Sequence, residues 1–189
     1  MPSSSPQPLL GSDELTLAVV AFLSATLVVI PAVVSARRPS DSRLFPAAVG
    51  AGYAVICLAL WGVTRSVTGV SLPVKRDVVA VIAVFSVCSL FLCFNAAIPV
   101  YAYRRERLVT PLVWAFLTTT AMLAAFFTVP NESGVLTYKL VPLPMTLVTE
   151  VDPLFVYTGY VPVSLGGMLI VGVVELVCRK QFGVFFLRV

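Results

Sequence analysis

Five stretches of the chain stay apolar for about twenty residues at a time, and polar or basic segments separate them. Within each stretch the pattern shows neither the two-residue alternation of a half-buried strand nor the one-sided stripe of a soluble helix. It predicts helices over about 15–36, 44–64, 78–101, 108–129 and 160–178. Each matches the length of about 20 residues that crosses a hydrocarbon core of roughly 30 Å at about 1.5 Å per residue. The predicted fold class is an all-α integral membrane protein, a five-helix transmembrane bundle occupying residues 13–180.

The flanking segments read differently. Residues 1–12, MPSSSPQPLLGS, are rich in Ser and Pro and read as a disordered outer tail. Asp13 and Glu14 precede the first apolar run while Arg37 and Arg38 follow it, the reverse of a cleaved secretory leader, so this run is expected to be retained as a helix. Residues 181–189, QFGVFFLRV, are too short to span and are expected to form an interfacial cytoplasmic tail with Phe182, Phe185 and Phe186 at the lipid boundary.

Two turns resemble each other. Ile30-Pro31 leads to Arg37-Arg38 and then Arg43-Leu44 and Pro46; Ile98-Pro99 leads to Arg104-Arg105 and then Arg107-Leu108 and Pro111. Each has a proline late in the incoming helix, a basic cluster, and a proline where the outgoing helix can accept one without losing a hydrogen bond. Two tandem helical hairpins plus a fifth helix would give this pattern, as in parallel-repeat transporters. Proline-flanked basic turns also arise independently in multi-span proteins.

The loop over 130–159 is too apolar for a plain linker. Residues 135–141 and 145–151 fit two strands of a small extracellular β-hairpin around Pro142-Leu143-Pro144. A re-entrant segment is the alternative, disfavoured because Lys139, Glu150 and Asp152 are costly in lipid.

Composition supports the membrane reading. Apolar residues make up 59% and charged residues 12%, where soluble proteins average roughly half and a quarter. A soluble domain of this length leaves roughly a third of its chain surface exposed and could not hide that much apolar area. The net charge of +4 does not point to nucleic acid, because the basic residues lie in short clusters at the ends of apolar runs. Arg37, Arg38, Arg43, Arg104, Arg105, Arg107, Arg179, Lys180 and Arg188 fall on one side; Arg65, Lys75, Arg76 and Lys139 fall on the other. The richer side is expected to be cytoplasmic, placing the amino terminus outside and the carboxyl terminus inside a cell membrane.

Candidate chemistry is sparse. The chain has no histidine, which removes histidine bases, His-based zinc sites and the usual haem ligation. No P-loop, HExxH, GxSxG or CxxC is present, and no enzyme activity, cofactor or metal is expected. Asn95 and Glu175 are the candidate intramembrane polar groups. Asn95 reads chiefly as helix-packing glue, and Glu175 as an i, i+4 ion pair with Arg179 or a snorkelling group. Small residues at helical spacing, Ser86, Ser89, Cys93 and Ala96 in the third run, Ala115, Thr118, Met122 and Ala125 in the fourth, and Ala48 and Gly52 in the second, read as helix seams. Gly166 and Gly167 fit the same use in the fifth. Cys178 is a candidate for lipidation beside Arg179 and Lys180, with simple burial as the plainer reading. Asn131 opens an Asn-Glu-Ser glycosylation triplet.

The functional expectation is a non-enzymatic accessory or scaffold subunit that acts by helix packing and through its outer loop. Its expected partners are the lipid bilayer and a membrane protein or second copy of itself. The alternative is a small transporter or channel with Asn95 and Glu175 along an intramembrane route.

Overall fold

The structure is a computed structural model, and it describes residues 7–37, 44–68, 78–129, 136–140, 145–149 and 153–182. Among the described residues five helices carry the fold: α1 (Asp13–Arg37), α2 (Phe45–Thr68), α3 (Val78–Glu106), α4 (Thr110–Phe126) and α5 (Pro153–Phe182). Four of them, all but α4, are long and apolar enough to cross a membrane. Between 17% and 33% of each such span is buried, so most of their apolar surface faces outward. Val163 is 73% exposed and Ile170 66%, an arrangement that only an apolar surrounding tolerates over so many residues. The chain is a multi-pass membrane protein by this measure.

Helix α4 spans 17 residues, shorter than the expected 108–129. Its start is delayed because α3 continues through the basic cluster to Glu106, and Arg107 then turns in the left-handed region at φ 56°. The Arg107 N–H reaches back to the Tyr103 carbonyl at 3.0 Å, closing α3 with a left-handed cap. At its far end α4 gives way to a short strand, β2 (Thr128–Val129), paired antiparallel with β1 (Gln7–Pro8). The Leu9 N–H adds a bond to the Phe127 carbonyl at 2.9 Å. Residues 7–9 thus find partners in the backbone at the end of α4.

Two other boundaries move. Helix α2 runs on to Thr68, which brings Arg65 into its last turn, where it is buried. Helix α5 starts at Pro153, a residue that suits a first helical turn, and so takes the last seven positions of the expected 130–159 loop. Within that loop β3 (Leu136–Leu140) and β4 (Met145–Thr149) pair antiparallel, Leu136 opposite Thr149 and Leu140 opposite Met145. Asn131 and the tail after Phe182 lie outside the described residues.

Helix α3 is central, in contact with all four other helices. Its closest approach is to α2. A Cβ added at Gly50 would fall 2.5 Å from the Cys93 carbonyl oxygen and 3.0 Å from Ala97 Cβ. The seam of α2 is thus Gly50, Tyr53, Ala54, Cys57 and Trp61, with the Trp61 indole edge-on to Phe85 at 5.5 Å. Ala48 and Gly52, expected to form it, are exposed. In α3 the buried positions include Cys88, Leu92, Asn95, Ala96, Pro99 and Val100, while Ser86 at the head of the expected stripe is exposed and satisfies its hydroxyl on the Ile82 carbonyl. The α4 seam lies where expected at Ala115 and Met122, both buried. Gly167 packs on the Trp114 ring, whereas nothing approaches Gly166.

Helix α1 buries Thr16, Val20, Ser24, Val28, Ala32 and Ser35. Its first half lies along α4 and its last turns along α3. Between them Ala25–Val29 wind as a π-helix, the Ile30 N–H bonding to the Ala25 carbonyl. Pro31 follows directly. A proline lacks the N–H and crowds the carbonyl four residues back, and a local π turn is one of the ways a helix accommodates such a residue.

Gly50→Ala is expected to lower unfolding stability in detergent by about 1–3 kcal/mol, because the α2–α3 approach leaves no room for a methyl group. Gly52→Ala, with open space around it, should stay within about 0.5 kcal/mol. Equal melting curves for the two variants would mean that α2 and α3 are farther apart than described.

Candidate functional site

Two polar constellations occupy the bundle. The first ties α2, α3 and α4 together at mid-height. Tyr53, Asn95 and Thr119 are 2%, 1% and 0% exposed, so none of them can turn to water. The Thr119 hydroxyl donates to the Ala115 carbonyl one turn back at 2.7 Å. With its hydrogen used there, it must accept, and the Tyr53 hydroxyl donates to it at 2.9 Å. Asn95 completes the chain by donating from Nδ2 to the Tyr53 oxygen at 3.3 Å and to Thr119 Oγ1 at 3.4 Å. Its carbonyl oxygen faces the Thr118 hydroxyl at 3.5 Å, a long contact that competes with the Trp114 and Ala115 carbonyls, each 3.1 Å from the same hydroxyl.

The order is Asn95 amide, Tyr53 hydroxyl, Thr119 hydroxyl, Ala115 carbonyl. It contains hydroxyls and an amide and no carboxylate, so it can hold three helices in register but offers no general base. Tyr157 from α5 packs against the same core. A further tie joins α4 to α5, the Trp114 indole N–H donating to Ser164 Oγ at 3.1 Å.

The second constellation is built around Glu175. Helix α4 opens on Leu108-Val109-Thr110-Pro111, and its N-cap residue Val109 has no side chain able to accept from the first turn. The cap comes instead from α5. Glu175 Oε2 accepts from the Thr110 N–H at 2.8 Å, the Thr110 hydroxyl at 2.7 Å and the Val109 N–H at 3.0 Å, while Oε1 lies 3.1 Å from the Val109 N–H. A carboxylate at a helix amino terminus satisfies orphan N–H groups and meets the positive end of the helix dipole. Arg179, one turn along α5, forms an ion pair with Glu175 Oε1 and reaches the Glu106 carbonyl with its other nitrogen at 3.5 Å.

Asn95 and Glu175 are not brought together. They meet α4 at Thr118–Thr119 and at Thr110, which are separated by about 12 Å along the helix. Cys178 is exposed in the last turns of α5, directly before Arg179 in sequence, and takes no part in either set of hydrogen bonds described above.

Asn95, Glu175 and Arg179 stand out in the sequence, and Glu175 meets Arg179 as their i, i+4 spacing suggests, but Tyr53, Thr119 and the start of α4 were not expected as partners. Tyr53 could have been found from its place in the Gly50, Tyr53, Cys57 repeat, since a tyrosine on a buried apolar face needs a partner for its hydroxyl. The missing N-cap at Val109 was the corresponding signal for Glu175.

No protein-family model, no curated protein and no solved structure matches the chain.

Glu175→Ala is expected to cost about 1–2 kcal/mol of stability, the range for loss of an N-cap. Arg179→Ala should cost less, because the cap survives it; the reverse ranking in detergent unfolding would make the ion pair dominant. Tyr53→Phe and Thr119→Val should each cost about 0.6 kcal/mol and be non-additive in a double-mutant cycle, since they remove the same bond.

Proposed function

We propose that this multi-pass membrane protein is a non-enzymatic accessory or scaffold subunit that works by contact with a membrane protein partner or a second copy of itself. The observation that carries the reading is that Asn95 and Glu175, the two polar groups best placed to meet a solute, are engaged within the chain. Asn95 is used up on Tyr53 and Thr119, and Glu175 on the start of α4 and on Arg179. A transport route needs polar groups that exchange their partners for a passing solute. Here exchange would uncap a helix or release three helices from register.

In this reading all five helices cross the bilayer. Helix α4 is about 25 Å long, a shortfall that local bilayer thinning accommodates at modest cost. The ends rich in arginine face the cytoplasm and the amino terminus lies outside. The β3 and β4 pair then lies on the outer side and forms the partner-facing surface.

Two measurements test this together. Reconstituted protein should pass monovalent ions and small solutes into liposomes no faster than empty liposomes do. A flux abolished by Asn95→Ala with Glu175→Gln would replace the scaffold reading with the transporter reading. A photo-crosslinker at Tyr138 or Thr146 in intact membranes should yield a discrete adduct above the monomer, and a chain that remains monomeric throughout would sink the contact role.

A further inference from the structure

The end of the bundle where α1, α3 and α5 finish carries Arg37, Arg104, Arg105, Arg107, Arg179 and Lys180 against the carboxylates of Glu106 and Glu175. Both acids are engaged within the chain, Glu106 with Arg105 at 3.5 Å and Glu175 with Arg179. Six basic residues against two acids give this end of the bundle a net positive charge.

Charges that serve only to orient a chain can sit in any conformation on their side of the bilayer. Arg107 is held in one. Its backbone occupies the left-handed region at φ 56°, a strained choice for a residue with a Cβ. Its Nη2 donates to the Ala36 carbonyl at 3.1 Å, and its guanidinium lies over the Tyr103 ring at 5.7 Å. This fixes an exposed guanidinium beside the last turn of α1, where Arg37, also exposed, is the next residue. A guanidinium has five N–H donors, so the bond to Ala36 leaves others to offer. Two exposed arginines at one corner of the bundle can together match the oxygens of a phosphate diester. Just below them Ile30 and Val34 of α1 present exposed apolar side chains, 50% and 41% accessible, along which an acyl chain can lie.

We propose that Arg37 and Arg107 form a headgroup site for an anionic phospholipid, with the neighbouring cations of α3 and α5 supplying a favourable field. Basic sites between helices at the membrane surface bind such headgroups because they combine charge with an adjacent apolar wall. The site requires only that the basic end lies at a headgroup layer, and does not depend on the scaffold reading.

The test uses the full chain in a neutral detergent, with lipid retention read by native mass spectrometry and melting followed by Trp61 and Trp114 fluorescence. Phosphatidylglycerol should be retained and should raise the melting temperature, while phosphatidylcholine with the same acyl chains should do neither. Arg37→Gln with Arg107→Gln should weaken phosphatidylglycerol binding about tenfold or more. Arg37→Gln alone, which leaves the Arg107 turn intact, should weaken it about fivefold. Lys139→Gln, on β3 at the opposite end, should leave it unchanged. Equal retention of the two lipids, equal losses for Arg37→Gln and Lys139→Gln, or complete displacement of lipid by millimolar inorganic phosphate would each overturn the proposal.

Discussion

A polar group within hydrocarbon has no water to bond to, and must find its partner inside the chain or remain unsatisfied at a cost of several kcal/mol. The helices answer this for most of the backbone. The hydroxyls answer it locally, Ser24 on the Val20 carbonyl, Ser89 on Phe85 and Thr120 on Phe116. Among the groups that no residue of their own helix serves are the Tyr53 hydroxyl, the Asn95 amide, and the first N–H groups of α4. Each is satisfied from another helix. These contacts therefore fix which helices are neighbours, in a solvent that gives apolar faces little reason to prefer one another.

Close packing does the rest, and it is concentrated around α3. Gly50 lets α2 approach the Cys93 carbonyl, and Gly167 admits the Trp114 ring between α4 and α5. The polar ties lie beside these contacts. Tyr53 is one turn from Gly50 on the same seam, and Trp114 itself bonds Ser164. A side chain that needs a partner within about 3 Å and a glycine that permits close approach depend on each other. Together they locate the helices more narrowly than either would alone.

How much of this the sequence disclosed follows from the range of each interaction. Helix existence depends on local apolar content, so all five helices were legible in place. Their ends were less so. Arg65 and the Arg104–Glu106 cluster looked like loop because they are charged, but the helix continues through them; Pro153 looked like loop but opens a helix. Seams require knowing which face meets a neighbour. In α2 the Ala48–Gly52 and Gly50–Ala54 pairs match the small-residue pattern equally, and only the position of Cys93 decides between them. Asn95, Glu175 and Arg179 stood out because polar residues are rare in these runs. Their partners Tyr53, Thr119 and Val109 lie 42, 24 and 66 positions away, beyond the reach of any local pattern.

The π-wound segment of α1 also sets the phase of that helix. In a regular α-helix each residue advances about 100°, so buried positions four apart drift by about 40° at every step. From Thr16 to Ala32 that drift carries the contacting side from α4 round towards α3, and the wider turn at Ala25–Val29 holds one extra residue within the path. Were the same residues wound here as a regular α-helix, everything after them would swing by about a quarter of a revolution. Leu27, Pro31 and Val34 would then take the places of Val28, Ala32 and Ser35 against the bundle. The winding of this short stretch, more than its composition, decides which residues of the second half of α1 the surrounding membrane meets.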